Sequence, residues 1–343
     1  MVCRVNTSNS SIEALEVNVS RALRLCVALG FVGWAVPAAH AQSCLSQSGP
    51  LETISGPQTS RYNETSLAAS TKIDARTASW YALGETPVKF GGGSGLCWSG
   101  GFTEGDYPLD ASWHTTHPTA SLWVNAQSVV IENFHGKTYG DGIKLYDGIE
   151  SFVIRGVFLE DMRDDCVEGD WLPGGVIEDS LLNGCYVPFA FQFRDGDSAD
   201  GRDRTVEIRN VLAWLRDQIG VYKGPVPGHS MFFKWPRGSD AARGLKISMH
   251  NTILRVDSDQ SESPSEQFHI PDGKLVSCSN NIIVWGGSGA VPSELAAWPS
   301  CFTITTDMSV WNSAVATWKA NHGYGGTGSP PPVVQNLRRT DLR

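Results

Sequence analysis

A short strand motif recurs through the middle of the chain, and its spacing constrains the fold more than any other feature. In each copy, alternating apolar residues lead to a small, amide or acidic corner residue, as in residues 130–133 (VIEN) and 153–156 (VIRG). The corner residues are Asn133, Gly156, Asp179, Asn210, Asn251 and Asn281. Their successive separations are 23, 23, 31, 41 and 30 residues. A fixed period with a recurring strand pattern is typical of stacked supersecondary units.

The motif also predicts how each unit is built. Alternation lets one strand face meet the interior and the other meet solvent, while Asn and Gly tolerate a left-handed backbone at a corner. We therefore predict an all-β chain, a single-stranded right-handed parallel β-helix whose longer separations are coils with inserted loops. An immunoglobulin-like sandwich also has many short strands, but it would not give two consecutive gaps of 23 residues.

The two ends of the chain lack the repeat. Residues 1–41 carry basic residues, an apolar run and an Ala-His-Ala pattern before Gln42, which is typical of a signal peptide. A retained N-terminal anchor is the alternative. We expect an N-terminal cap at 42–86, the β-helix at 87–308, and a C-terminal helix with a disordered tail at 309–343.

Composition narrows the compartment and the partners. The formal net charge is −9 and no basic run is present, which argues against nucleic acid and anionic membranes as partners. We expect a secreted or periplasmic monomer that binds a polysaccharide or oligosaccharide.

The cysteines agree with export. Six follow the predicted leader: Cys44, Cys97, Cys166, Cys185, Cys278 and Cys301. An even number in an oxidising compartment suggests disulfides. Proximity in sequence favours Cys44–Cys97 and Cys278–Cys301, whereas Cys166 and Cys185 either form a third bond or remain buried thiols.

Acidic side chains are densest on two consecutive predicted coils. Asp141 lies in residues 140–144 (GDGIK), and Asp164 and Asp165 lie in residues 163–170 (RDDCVEGD). An offset of 24 residues would stack Asp141 under Asp165, with coils ~4.8 Å apart. Carboxylates that close raise at least one pKa, giving an acid beside a base, or they bind a cation.

The same offset predicts an outward column of Lys144, Glu168 and Gln192. A purely structural interpretation is also open, in which the acids cap strands or pair with Arg163, Lys144 and Arg194.

These motifs resemble those of a known family. Residues 141–143 (DGI) followed by 164–167 (DDCV) are similar to the polygalacturonases, glycoside hydrolases of the pectin-lyase-like β-helix superfamily. The resemblance implies an inverting hydrolysis in which Asp164 is the general acid and Asp141 and Asp165 hold the water. The chain departs from the family at residues 187–190 (VPFA), where a Gly-His-Gly motif is expected, and it lacks the family's Arg-Ile-Lys strand. Galacturonate is therefore not implied as the substrate.

Three functional hypotheses stay open. The first is a glycoside hydrolase without a cofactor, with catalytic Asp141, Asp164 and Asp165. The residues expected to bind its substrate are Lys144, Glu168, Gln192, Arg194, Lys223 and His229. The second is a polysaccharide lyase in which Asp141, Asp164, Asp165 and Glu168 hold Ca²⁺ and Lys144 or Arg194 removes a proton. The third is a non-enzymatic carbohydrate-binding β-helix.

Overall fold

All the named strands belong to one parallel sheet that winds nearly round an axis. A computed structural model of the chain describes residues 42–193, 198–219, 227–261 and 266–324. Over these residues 22 strands form a single sheet, and every pairing between them is parallel. The predicted parallel β-helix is confirmed. The predicted signal peptide lies outside the described residues, as does the tail from residue 325.

The strands follow one another with few helices between them. The first seven are β1 Leu51–Gln58, β2 Tyr62–Leu67, β3 Lys72–Tyr81, β4 Val88–Gly92, β5 Leu96–Ser99, β6 Phe102–Glu104 and β7 Ala120–Ala126. The middle ones are β8 Ser128–Glu132, β9 His135–Lys137, β10 Asp141–Leu145, β11 Ser151–Arg155, β12 Phe158–Gly169, β13 Gly174–Glu178 and β14 Leu181–Ala190. The last eight are β15 Thr205–Arg209, β16 Leu212–Leu215, β17 Phe233–Lys234, β18 Lys246–His250, β19 Ile253–Val256, β20 Leu275–Ser279, β21 Asn281–Trp285 and β22 Phe302–Thr305.

The described helices are short except for the last. They are the α-helices α1 Trp113–Thr116, α2 Ser293–Ala296 and α3 Met308–Asn321, with 3-10 helices at Cys44–Ser46 and Gly238–Arg243. None of the helices in the described part of the chain is long and apolar enough to cross a membrane.

The parallel ladder begins earlier than the boundary expected at residue 87. Strand β1 pairs with β3, from Leu51 opposite Lys72 to Gln58 opposite Trp80. Strand β3 in turn pairs with β5 and β6. The stretch expected to form a cap therefore contributes three strands of the solenoid itself.

The repeat motif forms a ladder of five strands with one buried column. Ile131, Ile154, Ile177, Ile208 and Met249 lie directly above one another, and all five are fully buried. Because the side-chain period of a strand is two residues, the residues on either side of this column face outward. The 23-residue period read from the sequence is thus the length of one short coil.

The corner residues adopt the left-handed backbone that their identity predicts. Asn133 has φ 56°, Asp179 45°, Asn210 54° and Asn251 52°. The last corner is Asn280, at φ 54°, rather than Asn281. Asn281 is instead buried in β21, where its side chain accepts from the Thr252 amide and donates to the Met249 carbonyl.

Three disulfides tie neighbouring parts of the fold together. Cys44–Cys97 and Cys278–Cys301 confirm the pairs expected from proximity. Cys166–Cys185 forms the third bond and joins β12 to β14, with the two Cα atoms 5.6 Å apart. Three disulfides fit an extracellular, oxidising compartment.

Helix α3 covers the outer face of the solenoid. Asp307 caps its first turn by accepting from the Ser309 amide. Trp311 and Trp318 are buried, as predicted. The Trp318 indole donates to the Asp179 carbonyl at 3.1 Å, so the helix reaches back over earlier coils.

Candidate active site

The register between β10 and β12 brings three acids together. Ile143 lies opposite Val167 and Lys144 opposite Glu168, which is the 24-residue offset predicted from the sequence. Carboxylate oxygens of Asp141, Asp165 and Glu168 all lie within 4.8 Å of one another. We call these three residues the carboxylate cluster. Their exposed fractions are only 2 %, 1 % and 6 %.

One coil later the offset changes, and the prediction for Gln192 is wrong. Val167 lies opposite Phe189 and Glu168 opposite Ala190, so the offset is 22 residues rather than 24. A register shift between Met162 and Asp165 gives β12 one more residue than β14 in this stretch. Gln192 therefore does not lie above Glu168.

The small side chain of Ala190 allows a lysine to complete the site from the next coil. Ala190 lies opposite Lys234 of β17. The Lys234 ammonium reaches past it and donates to Asp165 Oδ2 at 2.8 Å. Sequence reasoning missed this role, because a loop separates Lys234 from the preceding coil and hides the column.

Lys144 holds the other two carboxylates. Its ammonium donates to Asp141 Oδ2 at 3.1 Å and to Glu168 Oε2. The cluster therefore has two ammonium groups for three carboxyl groups. The side chains of Lys144 and Lys234 are 17 % and 31 % exposed, so these two residues separate the carboxylates from solvent.

Burial and mutual repulsion divide the protonation states of the cluster. Burial raises the pKa of Asp141 well above its usual value, and the charge of Glu168 adds to the effect. Burial also raises the pKa of Asp165, against the opposing charge of Lys234. Burial disfavours ionised Glu168 as well, but Lys144 and a hydrogen bond from Asp141 lower the pKa of Glu168 to about 2. At neutral pH the cluster thus combines carboxylic acids with a carboxylate.

A fourth acid is drawn into the same field. Burial and the nearby charge of Glu168 raise the pKa of Asp170 to about 6. Asp170 follows β12 by one residue, so it extends the acidic region along the same strand direction.

Asp164 points to a different partner, which the sequence did not reveal. Its Oδ2 lies 2.7 Å from His117 Nδ1. Asp164 is 4 % exposed, whereas the His117 side chain is 48 % exposed. The imidazole also stacks on Trp113 of α1, with ring centroids 3.9 Å apart. No motif marks His117, which lies 47 residues before Asp164 in an inserted loop.

Arg163 anchors two loops beside the site. It is 2 % exposed and donates to Gln218 Oε1 at 2.7 Å, to the Ala111 carbonyl at 2.6 Å and to the Ile219 carbonyl. Ala111 precedes α1, and Ile219 ends the loop after β16. A single buried guanidinium therefore positions both segments relative to β12.

The cluster has the donor atoms for a cation, but lysines already occupy most of them. Oxygen ligands of three carboxylates would suit Ca²⁺. Yet Lys144 bonds to Asp141 and Glu168, and Lys234 bonds to Asp165. The two ammonium groups supply the positive charge that a metal would bring, so the arrangement favours proton transfer over metal chemistry.

The remaining predicted site residues lie elsewhere. His229 is fully buried, with Nδ1 3.1 Å from the Ser230 carbonyl and Nε2 2.9 Å from the Ser258 carbonyl. Both ring nitrogens are thus used in packing a loop, and no contact joins His229 to the cluster. Arg194 and Lys223 lie outside the described residues.

Comparisons with known proteins identify no relative. The chain matches no protein-family model, no curated protein and no solved structure. The function must therefore be argued from the site.

Proposed function

We propose that this protein is a glycoside hydrolase of a polysaccharide or oligosaccharide, with the carboxylate cluster as its acid. The observation that carries this proposal is the mixture of protonated and ionised carboxyl groups within 4.8 Å on adjacent coils. Hydrolysis of a glycosidic bond needs a protonated acid at the leaving oxygen and a base or nucleophile nearby. Neighbouring carboxyl groups whose pKa values are driven apart supply that combination.

Asp165 is the best candidate for the general acid. Its Oδ2 accepts from Lys234, while its Oδ1 is buried and has no hydrogen-bond partner among the described residues. A proton carried on Oδ1 is therefore not committed to another protein group. Asp164, which the family resemblance would make the acid, is engaged by His117 instead.

Access to this proton involves Lys234. Asp165 itself is 1 % exposed, and the Lys234 side chain, 31 % exposed, lies against it. Substrate hydroxyl groups can replace Asp165 as acceptors for the ammonium. Once Lys234 shifts onto the substrate, the glycosidic oxygen can approach Oδ1.

Carbohydrate is the substrate class supported by the surroundings of the cluster and by the motif resemblance. Trp123 lies directly below Lys144 in the ladder. Its ring lies 4.8 Å from that of Tyr146, and Tyr146 lies 6.2 Å from Trp171. Aromatic edges beside hydrogen-bonding groups are typical of sites that bind rings with one apolar and one polar side.

The lyase alternative is less well supported. It requires Lys144 or Arg194 to act as a base, and Arg194 lies outside the described residues. For Lys144, burial works to lower the pKa, but the charges of Asp141 and Glu168 outweigh it and hold the pKa above its usual value. An ammonium so strongly held is a poor proton acceptor at neutral pH.

The test is a screen of the purified protein against soluble polysaccharides, including xylan, arabinan, polygalacturonate and alginate. Reducing ends and ultraviolet absorbance are followed together. We expect reducing ends without absorbance on at least one polymer, and a loss of about 10²-fold or more in kcat/KM for Asp165→Asn. The matched control is Glu178→Gln on the regular ladder, which should keep its activity.

Three outcomes would overturn the proposal. Absorbing, unsaturated products would indicate a lyase. Full activity in Asp165→Asn would remove the cluster from the chemistry. Binding of a polymer without turnover of any polymer would leave a carbohydrate-binding β-helix.

A further inference from the structure

On the basis of the hydrolase function above, we propose that His117 is the base that activates water in this site, and that Asp164 is the residue that positions it. The pair forms a dyad at the edge of the carboxylate cluster. Sequence and family resemblance both pass over His117, and no motif assigns it a role.

The first support is the difference in exposure between the two partners. The carboxyl group is almost completely buried and the imidazole is about half exposed, at 4 % and 48 %. The carboxylates of the cluster, by contrast, lie beneath Lys144 and Lys234. Of the acid–base side chains at this site, His117 is therefore the one that a bound water or sugar meets directly.

The second support is the fixed orientation of the ring. Nδ1 is 2.7 Å from Asp164 Oδ2, and one face of the ring stacks on Trp113 at 3.9 Å with 20° between the planes. A carboxylate that accepts from Nδ1–H selects the tautomer whose Nε2 has a free lone pair. Two independent contacts thus hold an exposed imidazole ready to accept a proton.

The third support is the anchoring of the segment that carries His117. Arg163, adjacent to Asp164 in sequence, donates to the carbonyl of Ala111, just before α1. Residues 163 and 164 therefore hold both the backbone and the imidazole of this loop. An arrangement of this kind fixes the distance between the base and the strand that carries the acid.

Spacing explains why a base outside the cluster is needed. A carboxyl pair that holds a water between them and the sugar lies about 6.5–9.5 Å apart, and a pair that forms a covalent intermediate about 5–5.5 Å apart. The oxygens within the cluster lie within 4.8 Å of one another, which leaves no room for that water. His117 lies on the solvent side of Asp164 and adds a base beyond the cluster.

The proton balance of the step is simple. The water oxygen bonds to the anomeric carbon while its proton moves to His117 Nε2. The bond from that carbon to the glycosidic oxygen breaks, and the leaving oxygen takes the proton from Asp165. After the product leaves, His117 releases its proton and Asp165 regains one, both by exchange with solvent.

The charged groups around the dyad are few. Asp164 faces the ring directly, and His114 of α1 lies against the same Trp113, with centroids 5.3 Å apart. Behind Asp164 are the carboxylates of the cluster and the ammonium of Lys234. These groups together set the pH at which the dyad changes its charge.

The experiment compares His117→Ala with His114→Ala, the matched histidine on the same helix. On the polymer identified in the screen, we expect His117→Ala to lose about 10²–10⁴-fold in kcat with little change in KM, and added imidazole to restore at least a tenfold part of it. His114→Ala should stay within twofold of the unaltered protein. Asp164→Asn should lower kcat, shift the acidic limb of the pH profile, and show no rescue by imidazole.

A second measurement does not depend on turnover. Nitrogen NMR of the imidazoles should show His117 with a bare Nε2 and a protonated Nδ1, and Asp164→Asn should abolish that preference. The anomer released first by the unaltered protein should be inverted, because a base acting on water gives a single displacement.

The outcomes separate this role from the hydrolase function itself. Full activity of His117→Ala beside an inactive Asp165→Asn would overturn the role of His117 alone. So would retention of anomeric configuration, or a loss that imidazole does not rescue. If Asp165→Asn were also fully active, the hydrolase function would fall with it.

Discussion

Two parts of the same solenoid stack acids on bases across coils, with opposite results. On the regular ladder each glutamate meets an arginine: Glu132 with Arg155 at 2.7 Å, and Glu178 with Arg209 at 2.6 Å. We call this the arginine ladder. Although burial of Glu132 opposes ionisation, hydrogen bonds from Ser43 and Arg155 leave its pKa lowered. In the carboxylate cluster three acids share two lysines, and the pKa values of Asp141 and Asp165 rise instead.

The difference teaches that the ratio of charges, rather than burial alone, separates a structural ladder from a reactive one. Glu132 and Asp141 are equally buried, at 2 %. A planar guanidinium can satisfy both oxygens of one carboxylate. A lysine ammonium shared between Asp141 and Glu168 cannot neutralise both, so one of the pair keeps a proton.

The largest expected effect comes from removing the base on each side. Arg155→Met should lower the free energy of unfolding at pH 7 by about 3 kcal/mol, since it leaves the buried charge of Glu132 uncompensated. Lys234→Met should cost only about 1 kcal/mol, because Asp165 already favours its protonated form and loses little more than a hydrogen bond. Urea unfolding of both variants measures the difference. Equal losses would mean that the two ladders are electrostatically alike.

A comparable loss is expected from each of two disulfides, but only one should affect activity. Cys166–Cys185 and Cys278–Cys301 span similar sequence separations, 19 and 23 residues. Replacing either pair with serine should lower the free energy of unfolding by about 3 kcal/mol. Only Cys166 adjoins Asp165, so only the first double variant should also reduce kcat/KM. Equal activity of the two folded variants would show that this bond does not position the cluster.

The smallest effect concerns pH, and its sign differs between the two sides. Because the pKa of Asp170 is raised to about 6, its contribution to stability is present below about pH 4 and is lost as the pH rises through 6. Asp170→Asn should therefore gain about 2 kcal/mol in unfolding free energy relative to the unaltered protein between pH 4 and pH 7.

Glu132→Gln serves as the control for that experiment. The pKa of Glu132 is lowered, so its contribution is present above about pH 4 and is lost as the pH falls below. The relative stability of this variant should thus fall with rising pH, where that of Asp170→Asn rises. Parallel pH dependence in the two variants would contradict the assigned shifts.

Much of the fold could be predicted because its contacts repeat at short, regular offsets. The 23-residue spacing placed Val130, Val153 and Val176 in one column, and the structure pairs them so. The 24-residue offset likewise placed Lys144 under Glu168. Both predictions needed only that neighbouring coils have nearly equal length.

The site was predicted in part, and its errors have a common cause. Gln192 was misplaced by a one-residue irregularity in β12, and a shift of register redirects every later side chain. Lys234 was missed because an inserted loop breaks the period before it. His229 was expected to reach the site, but its loop folds inward and buries the ring.

By itself the sequence determined the solenoid, its corners and the crowding of Asp141 with Asp165, because these follow from the period of the strands and the chemistry of residues one coil apart. Only the tertiary structure decided which bases meet those acids. Lys234 and His117 arrive from loops of irregular length, and the path of such loops depends on packing against distant side chains such as Arg163 rather than on any local pattern.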